Sequence, residues 1–453
     1  MTSTSPIDHR SHAAAPVPRR AWVVTGLLVV FMLINFGDKA LLGLAAKPLM
    51  KDLDLTADEY GTIASAFYAL FSVSAVVVGF LANRISSRWL ILVMSVAWAV
   101  TQIPVVVFAT AGSLLVSRIV LGATEGPANP IAVNAVQKWF PDERRNLPTA
   151  LINVGAALGV VVLSPVLTYL IVEHGWRSAF VLMAVLGLAW STLWLMLGRE
   201  GSELSHVTAP VSETARGRHR AGRARVPYRA IFFSGTGVSV FVAGAAVYWS
   251  LAILVAWLPL YLDEPLGLGP ARAGTLVALP WVVSAIVIPV QGIVTDRLMR
   301  HGVSSRLARG VLGGVCVTAA GVSMLLITVA PGTPLKLVLV TLAFSVGTVQ
   351  FAIGMTMMAE IAPVPQRAAV LATVIGTVGL AGMVSPAVTG RFVDAHGMGS
   401  VDGFHSAFVL AGALMMAGGL LSLLLARPEW DAQRLRGTVV EAHEDEAGGQ
   451  RQR

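Results

Sequence analysis

Acids and bases are scarce inside the apolar stretches of this chain, and four stand out: Asp38 with its neighbour Lys39, Arg118 and Glu125. In a hydrocarbon setting each costs roughly 2.5–3.5 kcal/mol, so each needs a partner or a wet cavity. Arg118 and Glu125 are separated by two helical turns, which puts them on one face about 10 Å apart. Asp38 and Lys39 are adjacent and point in different directions, so they are not each other's simple pair. Two kinds of chemistry fit. Carboxyls whose proton affinity can swing across working pH carry protons, and cations beside them hold an anion. An anion that occupies the cations withdraws their support from the carboxylates and favours protonation. Asp38 and Glu125 are therefore the candidate proton-coupling acids, and Lys39 and Arg118 the candidate anion-binding cations. The plainer alternative is a buried ion network that only holds helices together.

The elements that position them must be membrane helices. Of 453 residues, 55% are hydrophobic and 13% charged, against roughly 25% charged in an average soluble domain. Val23 to Phe36, Trp89 to Ser117, Leu147 to Val172 and Ser178 to Gly198 carry no charge. The last three exceed the roughly 20 residues that cross a bilayer core, and the first supplies most of one such span. Backbone amides in hydrocarbon must be paired within the segment, and richness in Leu, Ala, Val and Gly fits helices better than alternating barrel strands. The net charge of +8 is not spread as a nucleic-acid face. Basic residues gather in every second connection: Arg19-Arg20, Arg84 with Arg88, Arg144-Arg145, a run from Arg216 to Arg229, and Arg297 through Arg309. That alternation predicts both termini in the cytoplasm of a multi-pass inner-membrane protein. Arg19-Arg20 precede a stretch too long for a signal core, so it reads as an uncleaved first helix. The lone Cys316 reads as inert packing, and the residues from Arg427 onward as a disordered tail.

The apolar blocks number about six on each side of a basic linker. The expected organisation is a tail (1–20), a six-helix half (21–197), the linker (198–230), a second six-helix half (231–426) and a tail (427–453). The halves share strings in the same order. Gly79-Phe80-Leu81-Ala82-Asn83-Arg84 recurs as Gly292-Ile293-Val294-Thr295-Asp296-Arg297, and Ser164-Pro165 as Ser385-Pro386. Gly175-Trp176-Arg177-Ser178-Ala179-Phe180 recurs as Gly403-Phe404-His405-Ser406-Ala407-Phe408. Parallel repeats of six helices are a transporter architecture, with the substrate near the midplane between halves. The expectation is an all-α membrane protein of twelve spans that carries small solutes. It is expected to act as a monomer, without cofactor or metal. No Ser/His/Asp, metal or phosphate-loop constellation marks an enzyme.

On the duplicated Gly79…Asn83-Arg84…Arg88 and Gly292…Asp296-Arg297 segments the chain resembles the major facilitator superfamily. Asn83 departs from the Asp usual there, while the second copy keeps Asp296. The resemblance implies that these seven residues set conformation at cytoplasmic loops. Within the superfamily the chain resembles the anion:cation symporters. The strings concerned are Ser65-Ala66-Phe67, Arg118…Gly122…Glu125-Gly126-Pro127…Pro130, Trp139-Phe140-Pro141…Glu143-Arg144, Gly175-Trp176-Arg177, Trp257-Leu258-Pro259-Leu260-Tyr261-Leu262 and Ile361-Ala362-Pro363. That likeness implies proton- or sodium-linked symport of organic anions and matches Asp38 and Glu125 to proton-linked acids. Lys39 departs from the usual Arg and lacks its bidentate fork.

Other departures bear on the substrate. Phe36 and Phe71 stand where sugar-acid members carry Tyr, Ala156 where they carry Gln, and Ile375 and Gly379 at the usual Asn positions. Each change removes a hydrogen-bonding group, so the expected substrate is an aromatic or weakly hydroxylated carboxylate. Asn35, Asn129, Asn134, Tyr248, Trp249, Trp281 and Gln350 are the remaining polar or aromatic candidates to line a site. The competing readings are proton-coupled efflux of drugs or metabolites, and sugar-acid uptake. Val160 directly after Gly159 lacks the Pro that marks many antiporters.

Overall fold

A computed structural model describes residues 18–81, 85–141, 144–201, 226–363, 366–397 and 399–435. The first half contains α1 (Arg19–Leu44), α2 (Ala57–Leu81), α3 (Ser87–Phe108), α4 (Ala111–Glu125, resuming as Ala128–Gln137), α5 (Asn146–His174) and α6 (Trp176–Leu197). The second contains α7 (Gly235–Ala256), α8 (Leu279–Arg300), α9 (Leu312–Leu326), α10 (Thr333–Ser345, resuming as Val349–Ile361), α11 (Arg367–His396) and α12 (Val401–Leu425). Among the described residues ten helical stretches, the interrupted α10 included, are long and apolar enough to cross a membrane on length and composition alone. The other two spans are α2 and the interrupted α4. The expected all-helical, twelve-span fold is what is found, with no strand among the described residues.

The interruptions repeat between halves. α4 breaks at Gly126-Pro127, where Pro removes a backbone donor, and α10 breaks through a 3-10 turn at Val346–Thr348. Close packing sets the position of α4 against α2. A Cβ on Gly122 would fall on the Phe67 carbonyl, so only glycine lets the two backbones approach there.

The halves meet at the end remote from the chain termini. A Cβ on Gly43 of α1 would strike the Val255 carbonyl of α7. Tyr60 Oη lies 3.0 Å from the Leu42 carbonyl and 3.2 Å from that of Ala256, so one buried hydroxyl bridges the halves. The Ala387 N–H donates to Ser65 Oγ (3.0 Å), and Arg391 Nε reaches Asp58 Oδ1 (3.3 Å). Lys47 pairs with Asp263 (3.6 Å) and with Glu264. At this same end Trp176 Nε1 and Arg177 Nη1 donate to Asp52 Oδ2 (2.9 and 3.2 Å). The indole N–H, with the guanidinium beside it, holds that carboxyl below the usual carboxylate range. This is the local role of the Gly-Trp-Arg string.

At the termini end the repeat is visible in capping. The Ser87 and Arg88 N–H groups that open α3 donate to Glu200 (3.3 and 2.9 Å), and Lys138 pairs with the same carboxylate. A negative group there meets the unpaired donors and the positive end of the helix dipole. In the second half the Ser305 N–H donates to Glu429 (2.5 Å), while Ser305 Oγ and Arg309 bind Glu360 (2.7 and 2.5 Å). Asp431 Oδ2 accepts from the Thr236 N–H at the start of α7 (2.8 Å). The expectation of a disordered tail from Arg427 is therefore corrected for its first part: 428–435 is helical and held by those two carboxylates, while 436–453 lie outside the described residues. Charge composition alone concealed that two of its acids have helix ends to cap.

Candidate functional site

Asp38 sits on α1 with 1% of its surface exposed. Its partner is Gln102, on α3, whose Nε2 lies 2.9 Å from both Asp38 oxygens. The same amide's Oε1 accepts a long hydrogen bond, 3.4 Å, from Arg118 Nη2. Arg118 is itself buried, with its guanidinium 5.8 Å from the Phe180 ring. A neutral amide thus stands between a carboxylate and a guanidinium, with its donor turned to the first and its acceptor to the second.

The neighbouring Lys39 points elsewhere, as its one-residue offset requires. Nζ accepts nothing and donates to Asn35 Oδ1 (2.9 Å), one turn back, and pairs with Glu125 Oε2 at 3.4 Å. It also lies 4.3 Å from the Phe36 ring centre and 5.2 Å from that of Phe71, so two aromatic faces help to hold the ammonium. The Lys39 side chain is 15% exposed and Glu125 fully buried. Among the described residues neither Glu125 oxygen accepts a hydrogen bond, leaving Lys39 as its counter-charge.

A cavity between the halves opens beside this pair, lined by Phe36, Lys39 and Val160 on one side and Leu254, Pro259 and Trp281 on the other. Trp281 meets Phe36 edge to face at 5.5 Å. Across the Lys39 ammonium a second run of aromatic contacts begins: Phe71 to Tyr68 at 6.2 Å, Tyr68 to Tyr248 at 6.0 Å, and Tyr248 to Phe351 at 5.9 Å. Rings from α1, α2, α7, α8 and α10 therefore form a girdle crossing both halves.

Several expected residues lie outside this cluster. Asn129 donates to Asn153 (3.1 Å) and Asn134 to Ser87 Oγ (3.3 Å), the latter beside the Glu200 cap. The Trp249 carbonyl accepts from Ser385 Oγ (2.8 Å). Gln350 is buried within the second half against Gly313 and Gly354, with neither end of its amide hydrogen-bonded among the described residues. Ile375 is exposed on α11 and Ala156 buried on α5. Of the conformational strings, Gly79 lies in the last turn of α2, Arg88 lies in the first turn of α3 and donates Nη2 to the Leu195 carbonyl (3.0 Å), and Asn83 and Arg84 fall outside the described residues. Gly292, Asp296 and Arg297 lie within α8, where Asp296 and Arg297 are exposed.

Two residues of the cluster escaped the sequence reading. Gln102 carries no charge and sits in a block selected for lacking charge; a search for any strongly polar side chain there finds it. Tyr68 is one turn before Phe71 on the same helix face, so it supplies an aromatic hydroxyl to the girdle from a shifted position.

The sequence model of the Major Facilitator Superfamily matches residues 27–349. The Probable sulfoacetate transporter of Cupriavidus necator is 28% identical over 419 residues, covering 89% of this chain and 93% of that protein. The Hexuronate transporter of Bacillus subtilis is 26% identical over 422 residues (89% and 94%). Among solved structures, an inward-facing, occupied bacterial homologue of the human lysosomal transporter Spinster superposes with a TM-score of 0.70 at 17% identity, covering 92% of this chain and 97% of that one. A D-xylose–proton symporter gives 0.67 at 14% identity (90% and 98%), so the fold is shared although the sequences have diverged.

Proposed function

The chain belongs to the Major Facilitator Superfamily of membrane transporters, and from that premise we propose that it carries a small organic anion into the cell together with protons, by alternating access. The observation that carries this reading is Lys39, which lines the cavity between the halves and pairs with the fully buried Glu125. An anion that takes the ammonium removes the counter-charge from a buried carboxylate that has no hydrogen-bond donor of its own. That carboxylate is then neutralised by a proton, so anion and proton travel together. Asp38 serves as the second acid, and Arg118, held behind Gln102, positions it rather than meeting the substrate. With both termini cytoplasmic, as the basic connections suggest, the closed end faces outward and the site opens to the cytoplasm.

For the substrate we propose an aromatic or weakly hydroxylated carboxylate. Phe36, Val160, Leu254 and Trp281 give the cavity apolar walls around one cation, Lys39, which Phe71 also flanks, and a buried hydroxyl left without a partner costs roughly 1–3 kcal/mol. The second reading is a sugar acid. It is favoured by the names of the hexuronate transporter and of the Probable L-galactonate transporter of Escherichia coli, and by the Tyr68 and Tyr248 hydroxyls in the girdle. Uptake into proteoliposomes under an imposed pH gradient, with labelled benzoate, sulfoacetate, glucuronate and galactonate, separates them. Accumulation of benzoate or sulfoacetate that galactonate does not compete supports the first. Gradient-driven uptake of glucuronate or galactonate alone supports the second.

A further inference from the structure

We propose that the Gln102 side-chain amide is a two-position relay that reports the protonation of Asp38 to Arg118. The inference rests on the reading above that Asp38 carries a coupled proton. An amide has a donor end and an acceptor end, and here both are engaged in one orientation. Nε2 lies 2.9 Å from Asp38 Oδ1 and from Oδ2, and Oε1 faces Arg118 Nη2 at 3.4 Å. With Asp38 ionised, the reverse orientation would set oxygen against carboxylate and N–H against guanidinium, so the surrounding charges determine which way it points. A proton arriving on Asp38 turns one of its oxygens into an O–H donor. The other oxygen can still accept from Nε2, but the new O–H needs an acceptor, and in the proposed second position the amide is turned so that Gln102 Oε1 accepts from that hydroxyl. Nε2 is thereby presented to Arg118, which loses its acceptor.

Water cannot take up the difference, because Asp38, Gln102 and Arg118 are each 1% exposed. A buried guanidinium deprived of a partner reorients toward other negative charge. Glu125 lies two turns along the same helix, and the Arg118 charge acts on it as well as on Asp38. The charged and titratable groups facing Asp38 are thus Arg118 and Glu125 from α4 and Lys39 from its own helix. The other elements packed on α1 meet it differently: α5 through Leu163 at Gly37, α6 through Trp190, which donates to the Leu27 carbonyl (2.9 Å), and α7 through the Val255 carbonyl at Gly43. One amide rotation therefore links the two acids through a cation that need not touch the substrate.

The test is infrared difference spectroscopy of the full chain in lipid, titrated with pH and without any substrate. The Asp38 carboxyl band is assigned by its loss in Asp38→Asn, and the Gln102 amide band by its loss in Gln102→Leu. Gln102→Glu serves the second assignment should the leucine variant fail to fold. In the wild-type protein the two bands are expected to change with one midpoint, and in Asp38→Asn the Gln102 band should no longer respond to pH. In Gln102→Leu the Asp38 band should still titrate, displaced by about one pH unit or more, the size of a lost hydrogen bond to a charged group. An Asp38 band that titrates while the Gln102 band stays constant overturns the relay and leaves the proton assignment standing. An Asp38 carboxyl that never titrates overturns the proton assignment, and the relay with it.

Discussion

Replacing Lys39 with alanine takes one cation from a site that holds its ammonium by four contacts: Asn35 Oδ1 at 2.9 Å, Glu125 Oε2 at 3.4 Å, and the rings of Phe36 and Phe71. At 3.4 Å and an effective dielectric of about 20, the gross ion-pair attraction is about 5 kcal/mol. Most of that offsets the desolvation of two charges. The net gain open to an incoming carboxylate is closer to that of a charge-assisted hydrogen bond, about 1.5–3 kcal/mol. Lys39→Ala should therefore weaken substrate binding by about 10- to 150-fold, since each 1.4 kcal/mol is a factor of ten. Lys39→Arg should lose less, because it keeps the charge. Binding of the labelled acid identified by uptake is measured on detergent-purified protein, by equilibrium dialysis or calorimetry. Thermal unfolding of each variant is followed in parallel, to separate lost affinity from lost fold. Affinity within twofold of wild type in a folded Lys39→Ala protein would remove this lysine from the site and, with it, the anchor of the proposed function.

Asp38→Asn and Glu125→Gln should each abolish accumulation driven by a pH gradient while substrate binding persists, and normal accumulation in both would show that the coupling proton is carried elsewhere. Alkaline phosphatase fused after Arg223 should be inactive and fused near Asp263 active; the reverse pattern would invert the topology. Asp52 lies below its ordinary titration range in the folded chain because Trp176 and Arg177 bond its carboxylate. A depressed folded value contributes stability at neutral pH that disappears as pH falls through it. Asp52→Asn should accordingly lower the Tm at pH 7, with the gap to wild type closing as pH falls below the ordinary carboxylate range; a gap unchanged by pH would mean that the charge is not what the indole and guanidinium hold.

Charge was the legible part of this molecule. The twelve spans follow from where charge is missing. The acids and cations read from their cost in hydrocarbon are the ones that the fold gathers, with Asp38 and Lys39 aimed at different partners as adjacent helical residues must be. The physical reason is that an ion in an apolar block is hard to tolerate without a specific partner. Neutral polar residues give no such signal. Gln102 costs less to bury than an acid, so nothing in the Trp89–Ser117 block announced it, yet it makes the shortest contacts to Asp38. Tyr68 and Phe71 show the same limit for the aromatic girdle. One helical turn separates them, and a reading by aligned position registers a lost hydroxyl where the fold has one a turn away on α2. The caps formed by Glu200, Glu429 and Asp431 were hidden for a third reason: each satisfies the start of a helix far from it in the chain. What ties these cases together is that a carboxylate or amide acquires its role from the donor it meets. The chain order states which donors exist, and only the packing of α1 against α3 and α4 decides that Asp38 meets an amide while Glu125 meets an ammonium.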